Sequence, residues 1–383
     1  GPSSNRRRMS AAVRPRPKAA AYMATTSASS SGRYGRVGSG GRAGSHVGGT
    51  RCSVCARPPP SSLHGGGGAR IAAVNTATRT ARRGIVSTDH HLATAAAMTM
   101  FARGGSAADA AVAAGAVLAV VAPHASGLGG DLFAVVHARG DRPAVLESVG
   151  RAGSGADAET LRAEGHDRMP AFGDVRAVTV PGCVDGWCSL HERYGALPLA
   201  TVLEPAIRLA DEGFPVGREV VAAAGVDGDP ADLEALVGTV SDRGWTRRPP
   251  VAAVLRSIGE HGRDAWYRDV LGPALVDLGE GLFATDDVRA PIARWLEPLS
   301  VEAWGSTVHA PPPPSQAYVT LIAAGVAGRL DLPDDTADPR HPELLSAAIR
   351  LAAHDRLEHL HEGAVVEDRL SDAALDRLAD DAT

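Results

Sequence analysis

The sequence predicts an α/β or α+β fold, because helical patterns alternate with short strand patterns along most of the chain. Two stretches support this prediction. From Ala107 to Val121 no residue after Asp109 is polar, which predicts a helix buried on all sides, and its 15 residues are too few to cross a membrane. After a glycine-rich loop, Leu132–His137 and Ala144–Val149 are typical of two strands joined by a turn at Gly140 and Asp141.

The other elements are predicted from local start and stop signals. Ser106, followed three residues later by Asp109, resembles a capping box at a helix start. Before it, Gly84–Thr88 is predicted as a strand and His91–Arg103 as a helix that ends at a glycine pair. The later predicted elements are a helix at Asp157–Gly165, a strand at Arg176–Val180, helices at Val184–Tyr194, Leu199–Glu212, Val251–His261 and Ala265–Leu278, a strand within Leu299–Val308, and helices at Tyr318–Ala327, Pro342–Glu362 and Ser371–Ala379.

The chain divides into an N-terminal arm, residues 1–83, and a globular part, residues 84–383. The arm is rich in Arg, Gly, Ser and Pro, and it has too few apolar residues to offset the entropy cost of ordering. We expect it to be disordered, as a cloning remnant or an over-long translated leader. Because the arm is basic, an arm that binds nucleic acid or a partner is the alternative.

Charge and cysteine content exclude several functions for the globular part. A formal net charge of −5 argues against nonspecific nucleic-acid binding by the chain as a whole. No apolar stretch typical of a secretory signal follows the N-terminal arginines, so we expect a cytoplasmic protein without a membrane partner. Cys52 and Cys55, with His64 as a third ligand, fit either a metal site or incidental thiols. We favour incidental thiols and predict neither a metal nor a cofactor.

The residues alone reveal no complete active site. Ser126 lacks the GxSxG pattern of a nucleophilic serine, and the chain has no HExxH motif. The loop from Ser126 to Gly130 precedes a strand, whereas nucleotide-binding loops follow a strand and open a helix. Two interpretations of this loop stay open: a tight connection whose glycines supply positive φ, or the backbone wall of a pocket. The residues are therefore those of most of an enzyme, without the group that carries out the reaction.

A series of motifs in fixed order resembles the gamma-glutamyltranspeptidase family. The resemblance extends over about 300 residues. The matching segments are HLATAA from His91, RGGSAADAAVA from Arg103, PHASGLGG from Pro123, VPGCVDGW from Val180, HERYG from His191, LEPAIRLA from Leu203, GFP from Gly213, EPL from Glu297 and PPPSQ from Pro312.

The resemblance implies an N-terminal-nucleophile hydrolase with a four-layer αββα sandwich. Members of this family are made as a precursor that cuts itself into a large and a small subunit. The new N-terminal Thr of the small subunit is the nucleophile, and its α-amine is the base. On this basis the chain is a large subunit that contains no catalytic residue, its partner is the small subunit from the same precursor, and a small molecule is its substrate.

The resemblance also places the site, and there the chain departs from the family pattern. Glutathione-acting members carry an Arg at the end of the second hairpin strand, which binds the substrate's α-carboxylate, and the aligned residue here is Val149. Arg151, two residues later, is either a substitute for that Arg or a structural residue. The implied substrate-binding residues are Glu147, Ser148, Val149, Gly150 and Arg151, and the implied supporting residues are Ser126, Gly127, Gly129 and Gly130.

These departures favour a substrate other than glutathione. The Gly150-Arg151-Ala152 pattern resembles a divergent branch that includes acylase-like enzymes and antibiotic-biosynthesis homologues thought to cleave a carbon–carbon bond. We therefore predict hydrolysis of an acyl, amide or carbon–carbon bond through a covalent intermediate. The alternatives are a true gamma-glutamyl hydrolase that uses Arg151, and an inactive homologue that serves as a binding protein.

Overall fold

The computed structural model describes residues 19–24, 80–82, 84–170, 174–224, 234, 236–361 and 363–383, with both helix and sheet. The helices are α1 (His91–Ala102), α2 (Ala107–Val121), α3 (Ala158–Ala163), α4 (Cys183–Tyr194), α5 (Leu199–Glu212), α6 (Arg218–Ala224), α7 (Pro249–His261), α8 (Leu271–Leu278), α9 (Thr285–Arg289), α10 (Tyr318–Ala327), α11 (Arg340–His359) and α12 (Asp372–Ala382). The strands are β1 (Ala19–Ala24), β2 (Leu132–Ala138), β3 (Ala144–Ser148), β4 (Phe214–Pro215), β5 (Trp245–Thr246), β6 (Arg294–Leu296), β7 (Leu299–Ala303) and β8 (Ser306–Ala310).

Helix α2 is the buried helix that the sequence predicts, with the predicted start. The Ser106 hydroxyl accepts the Asp109 N–H at 3.1 Å, and the Asp109 carboxylate accepts the Ser106 N–H at 2.7 Å. Both bonds satisfy donors that a helix start would otherwise leave unpaired. Asp109 is fully buried and also accepts the N–H of Ala196, so the start of α2 is tied to the chain after α4.

A four-stranded sheet in the order β1-β2-β3-β6 organises the central part of the chain, and all its neighbouring strands are antiparallel. Its register pairs Leu132 with Ser148 and Glu147 with Arg294. Successive side chains of a strand point to opposite faces. Leu132 and Leu146 therefore pack in the core formed with the helices, while Phe133 and Val145 are buried outside that core, on the other face of the sheet.

A second core lies in the C-terminal third. Strands β7 and β8 form a hairpin that packs against α10, and α10 in turn packs against α11 and α12; this core contains Leu299, Tyr318, Leu321 and Leu375. None of the helices in the described part of the chain combines the length and apolar character needed to cross a membrane.

Two predicted strands are wrong. Gly84–Thr88 has no regular structure, and the predicted strand at Arg176–Val180 is replaced by a 3₁₀ turn at Val175–Ala177 followed by irregular chain. Residues that favour strands are not sufficient to form one, because a strand forms only where a neighbouring strand completes its hydrogen bonds. Within the described residues neither segment has such a neighbour.

The expected boundary at residue 84 stays a prediction. The structure places strand β1 before it, where the backbone of Ala19–Ala24 pairs with β2. The candidate metal site lies outside the described residues, since it consists of Cys52, Cys55 and His64.

Candidate functional site

The site that the sequence predicts lies where β3 ends. Glu147 and Ser148 are neighbours in sequence, and their side chains point to opposite faces of the sheet. Ser148 is fully buried, and its hydroxyl donates to the carbonyl oxygen of Gly182 at 2.7 Å. This bond ties β3 to the start of α4, so the hydroxyl has a structural partner. A role for Ser148 in substrate binding stays a prediction.

Two glycines allow β3 and α4 to approach each other closely. A Cβ on Gly150 would lie 2.0 Å from the carbonyl oxygen of Val180, and a Cβ on Gly182 would lie 2.1 Å from that of Ser148. Real Cβ atoms do not come within 3.0 Å of such atoms. In the same contact the Val180 N–H donates to the Arg151 carbonyl oxygen at 3.0 Å. Gly150 therefore makes a close backbone contact that no other residue could make here.

The glycine-rich loop supports the start of α4. The carbonyl oxygen of Gly130 accepts the N–H groups of Gly182 at 3.1 Å and Cys183 at 2.8 Å. The loop is closed on itself by a bond from the Gly130 N–H to the Gly127 carbonyl oxygen, and half-buried Ser126 donates its backbone N–H to Ala122. These bonds connect the loop to the start of α4, and its role as the support of a substrate pocket stays a prediction.

The glycines of this loop do not supply positive φ angles. Gly127, Gly129 and Gly130 are absent from the positive-φ glycines of the chain, so this part of the tight-connection interpretation is wrong. A Cβ on Gly129 would meet no atom within 4 Å, and one on Gly127 or Gly130 would make only ordinary contacts. The space beside the loop is therefore open in this chain. An open glycine surface allows another molecule to approach the backbone closely.

Asp131, which the sequence analysis did not single out, joins the loop to the predicted site. It follows Gly130 directly, and its carboxylate accepts the Gly150 N–H at 3.1 Å. Burial raises the pKa of Asp131, although the bond from Gly150 partly offsets this effect. Its position between a glycine-rich loop and a strand was the only signal in the sequence that could have identified it.

The side chain of Glu147 forms an ion pair with Arg294 on the neighbouring strand. One oxygen of Glu147, Oε1, accepts from Nε of Arg294 at 2.8 Å and from Nη2 at 2.5 Å. Glu147 is 1% exposed, whereas the Arg294 side chain is 56% exposed. The second oxygen, Oε2, is buried without a hydrogen-bond partner in the described part of the chain. Arg294 was also missed from the sequence, since 147 positions separate it from Glu147.

The remaining predicted residues lie on either side of Gly150, just after β3 ends. Val149 is half-buried and Arg151 is exposed. The pKa of Asp287 is lowered mainly by hydrogen bonds from the backbones of Ser154 and Ala284, with a smaller contribution from the positive charge of Arg151. Both interpretations of Arg151, as a substitute for the family Arg and as a structural residue, stay predictions.

The VPGCVDGW motif forms a buried polar network beside this site. Asp185 accepts Nε of Arg263 at 2.8 Å and the backbone N–H groups of Ile292 at 2.6 Å and Ala293 at 3.0 Å. The Tyr267 hydroxyl donates to the carbonyl oxygen of Pro181 at 2.5 Å. The network fixes the chain that leads into β6, and hence the backbone of the next residue, Arg294.

Neither thiol near the site is an activated nucleophile. Burial raises the pKa of Cys183 far above its usual range, and that of Cys188 to about 12. A nucleophilic cysteine requires a lowered pKa, because the thiolate is the reactive form. A separate surface cavity of about 380 Å³, lined by residues such as Trp245 and Arg247, includes none of the residues predicted for the site.

Comparisons with known proteins agree with the predicted fold. The family model described as gamma-glutamyltranspeptidase matches residues 93–381. The crystal structure of cephalosporin acylase from Bacillus halodurans is 31% identical with a TM-score of 0.69, covering 80% of this chain and 62% of that one. This structural similarity confirms the predicted α/β fold.

Two curated relatives are longer than this chain. The glutathione hydrolase-like YwrD proenzyme of Bacillus subtilis (strain 168) is 32% identical, over 77% of this chain and 58% of the relative. The oxamate amidohydrolase proenzyme of Klebsiella pneumoniae subsp. pneumoniae is 34% identical, over 78% of this chain and 60% of the relative. The chain thus spans a little under two thirds of the length of either protein.

Proposed function

Because this chain belongs to the gamma-glutamyltranspeptidase family, we propose that it is the large subunit of a self-processing hydrolase whose substrate is not glutathione. The partner is the small subunit released from the same precursor. The coverage supports this division, since both curated relatives are proenzymes and the chain spans 58% and 60% of their lengths.

The observation that carries the substrate proposal is Val149. Its side chain has no charge, and the resemblance to the family sets it at the position where glutathione-acting members carry an Arg. An apolar side chain cannot bind a carboxylate, so the glutamyl group would lose its main anchor. The relatives named as an oxamate amidohydrolase and a cephalosporin acylase support an amide or acyl substrate. Carbon–carbon bond hydrolysis in a secondary-metabolite precursor is the alternative within this proposal.

In the proposed reaction the hydroxyl oxygen of the small subunit's N-terminal Thr attacks the carbonyl carbon of the substrate. The Thr α-amine takes the hydroxyl proton and transfers it to the leaving group. The acyl group is then bound to the Thr as an ester, and water releases it as the acid. The residues of this chain bind and orient the substrate: the end of β3 forms one wall, and the open glycine loop forms the support beside it.

A gamma-glutamyl hydrolase is the second candidate, favoured by the exposed guanidinium of Arg151 two residues beyond Val149. It requires Arg151 to bind the substrate carboxylate in place of the Arg that Val149 replaces. The name of the Bacillus relative, glutathione hydrolase-like, supports testing it.

The test is expression of the complete precursor, followed by intact-mass analysis and N-terminal sequencing of each chain. We expect two chains, the smaller beginning with Thr, and turnover of oxamate or a simple acyl anilide without turnover of a gamma-glutamyl anilide. Turnover of the gamma-glutamyl anilide that is lost in Arg151→Ala would establish the second candidate instead. An uncut precursor would favour the third interpretation, an inactive homologue that serves as a binding protein.

A further inference from the structure

The surface cavity of about 380 Å³ lies where α5 ends, and it includes none of the residues predicted for the substrate site. Its lining comes from two segments of the chain, the last residue of α5 with the glycine after it, and the turn that leads into and out of β5. Small-molecule sites begin at about this volume, and they combine an apolar wall with a few well-placed polar groups. The cavity is therefore large enough for a small ligand.

The backbone around the cavity is held in place by close contacts. Gly213, the first residue of the GFP motif, ends α5 with a φ of 105°. A Cβ at this position would lie 2.9 Å from the carbonyl oxygen of Thr246, so only glycine lets β5 come this close to the helix end. Strand β4 pairs with β5, and the Arg248 N–H donates to the Ala210 carbonyl oxygen of α5 at 2.7 Å. These bonds fix the two walls relative to each other.

The hydroxyl groups of the lining are used within the chain. Thr246 donates its hydroxyl to the carbonyl oxygen of Val237 at 2.7 Å, and Thr239 donates to a neighbouring carboxylate at 2.9 Å. The hydroxyl of Ser241 accepts the N–H of Trp245 at 3.2 Å. These three side chains therefore stabilise the turn beside β5.

The two charged side chains of the lining, in contrast, have unused groups. Glu212 is exposed, and its carboxylate has no hydrogen bond or ion pair with any residue that the structure describes. Arg247 donates through Nε to the carbonyl oxygen of Asp211, so within the same residues Nη1 and Nη2 have no acceptor. The partial negative charge at the end of α5 adds to that of Glu212. The cavity thus presents an unpaired charge of each sign.

The apolar wall of the cavity is the side chain of Trp245. This residue is 50% exposed, although its backbone pairs with that of Pro215. The ring also lies against Gly213, where a Cβ would be 3.7 Å from Cε3 of the indole. An indole face offers a large apolar contact area to a ligand.

We propose that this cavity binds a free amino acid with an apolar side chain. The Glu212 carboxylate accepts from the ammonium group, and the two Nη groups of Arg247 donate to the carboxylate, which a guanidinium fits well. The ligand's side chain packs on the ring of Trp245. A ligand with only one charge would leave Glu212 or Arg247 without a partner. This site is additional to the proposed hydrolysis and does not depend on it.

The test is calorimetric titration of the purified protein, cut or uncut, with L-phenylalanine, 2-phenylethylamine and 3-phenylpropionate. The second compound lacks the carboxylate, and the third lacks the ammonium group. We expect saturable binding of L-phenylalanine, with each analogue at least about tenfold weaker, the effect of one charged hydrogen-bonded contact. Glu212→Gln and Trp245→Ala should each weaken L-phenylalanine binding by about tenfold or more.

Two variants outside the cavity are the matched controls. Glu204→Gln removes a charge from the same helix, and Trp304→Ala removes an exposed indole from the β7–β8 hairpin. Both should keep the affinity of the wild type. Denaturant unfolding checks that every variant is folded, and Glu212→Gln keeps the test valid if Trp245→Ala is not, because it changes an exposed side chain that has no partner among the described residues.

Three results would overturn the assignment. The first is the absence of saturable L-phenylalanine binding. The second is an affinity that survives both cavity variants or falls equally in the controls, since the ligand would then bind elsewhere. The third is an analogue with one charge that binds as tightly as the amino acid, which would show that Glu212 and Arg247 do not act together. None of these results bears on the proposed hydrolysis.

Discussion

The buried carboxylate of Asp185 accepts the backbone N–H of Ile292 at 2.6 Å, although 107 positions separate the two residues in sequence. The same oxygen accepts the N–H of Ala293, and the other oxygen binds Arg263. One side chain of the VPGCVDGW motif therefore fixes the start of β6 relative to α4. The position of Arg294 depends on this link as much as on its own pairing with Glu147.

Replacing Asp185 should destabilise the protein strongly. Asp185→Ala leaves two backbone N–H groups and the guanidinium of Arg263 without their buried acceptor, so the free energy of unfolding should fall by about 3–5 kcal/mol. Denaturant unfolding monitored by circular dichroism measures this change. Arg103→Ala is the matched control: its partner Glu204 is exposed, and the loss should be below about 1 kcal/mol. Equal losses in the two variants would contradict the role of Asp185.

Two glycine substitutions should separate packing from access to the site. A methyl group on Gly182 collides with the backbone of Ser148, so Gly182→Ala should lower the free energy of unfolding by about 3 kcal/mol, the upper part of the range for overpacking. Gly129→Ala places a methyl group in open space and should change stability by less than about 0.5 kcal/mol. Unfolding curves and turnover are measured on both variants. If the loop borders the substrate, Gly129→Ala should lose activity while it keeps its stability; unchanged activity would place the substrate elsewhere.

The pH dependence of stability should report on Asp131. Because burial raises its pKa in the folded state, the folded protein holds this proton more tightly than the unfolded chain does. Stability should therefore fall as the pH rises from the ordinary Asp value of 3.8 through the raised value. Asp131→Asn keeps an acceptor for Gly150 but does not titrate, so it should gain stability relative to the wild type across that window. Denaturant unfolding at a series of pH values gives the difference, and a difference that does not change with pH would be evidence against this titration.

The two cysteines of α4 should be inert in the folded protein. With a pKa raised to about 12, Cys188 is ionised to only about one part in ten thousand at pH 8. Cys183 is more deeply buried and should react still more slowly. Iodoacetamide labelling followed by peptide mass analysis tests both sites, with the same reaction in denaturant as the reference. Rapid labelling of either cysteine in the native protein would show that α4 opens or that the thiol is activated.

Local signals in the sequence were sufficient for the longer helices and for the hairpin, but not for the short helices α6 and α9. The capping box of Ser106 and Asp109, the buried helix after it and the turn at Gly140 are specified by neighbouring residues, and the structure confirms them. Arg176–Val180 was predicted as a strand because its β-branched residues favour one. A strand also needs a neighbouring strand, and the local sequence does not specify that neighbour.

The chemistry of the site could be predicted only in part. Glu147 and Arg151 were identified from the family motif around them. Arg294 and Asp131 were not, because each becomes significant through a contact with a distant residue: Arg294 with Glu147, and Asp131 with Gly150. Register and burial create these contacts, and neither can be derived from the spacing of residues along one segment.

The carbonyl oxygen of Gly130 determines what the first turn of α4 can do. A helix start has a partial positive charge and four unpaired N–H groups, which makes it a common site for anions and for the oxyanion of a tetrahedral intermediate. Here Gly182 and Cys183 donate to Gly130, and Asp185 donates to the hydroxyl of Tyr267, so three of the four groups already have partners. The dipole of α4 is therefore used to hold the glycine loop in place, and one of the four N–H groups at this helix start is left for another partner.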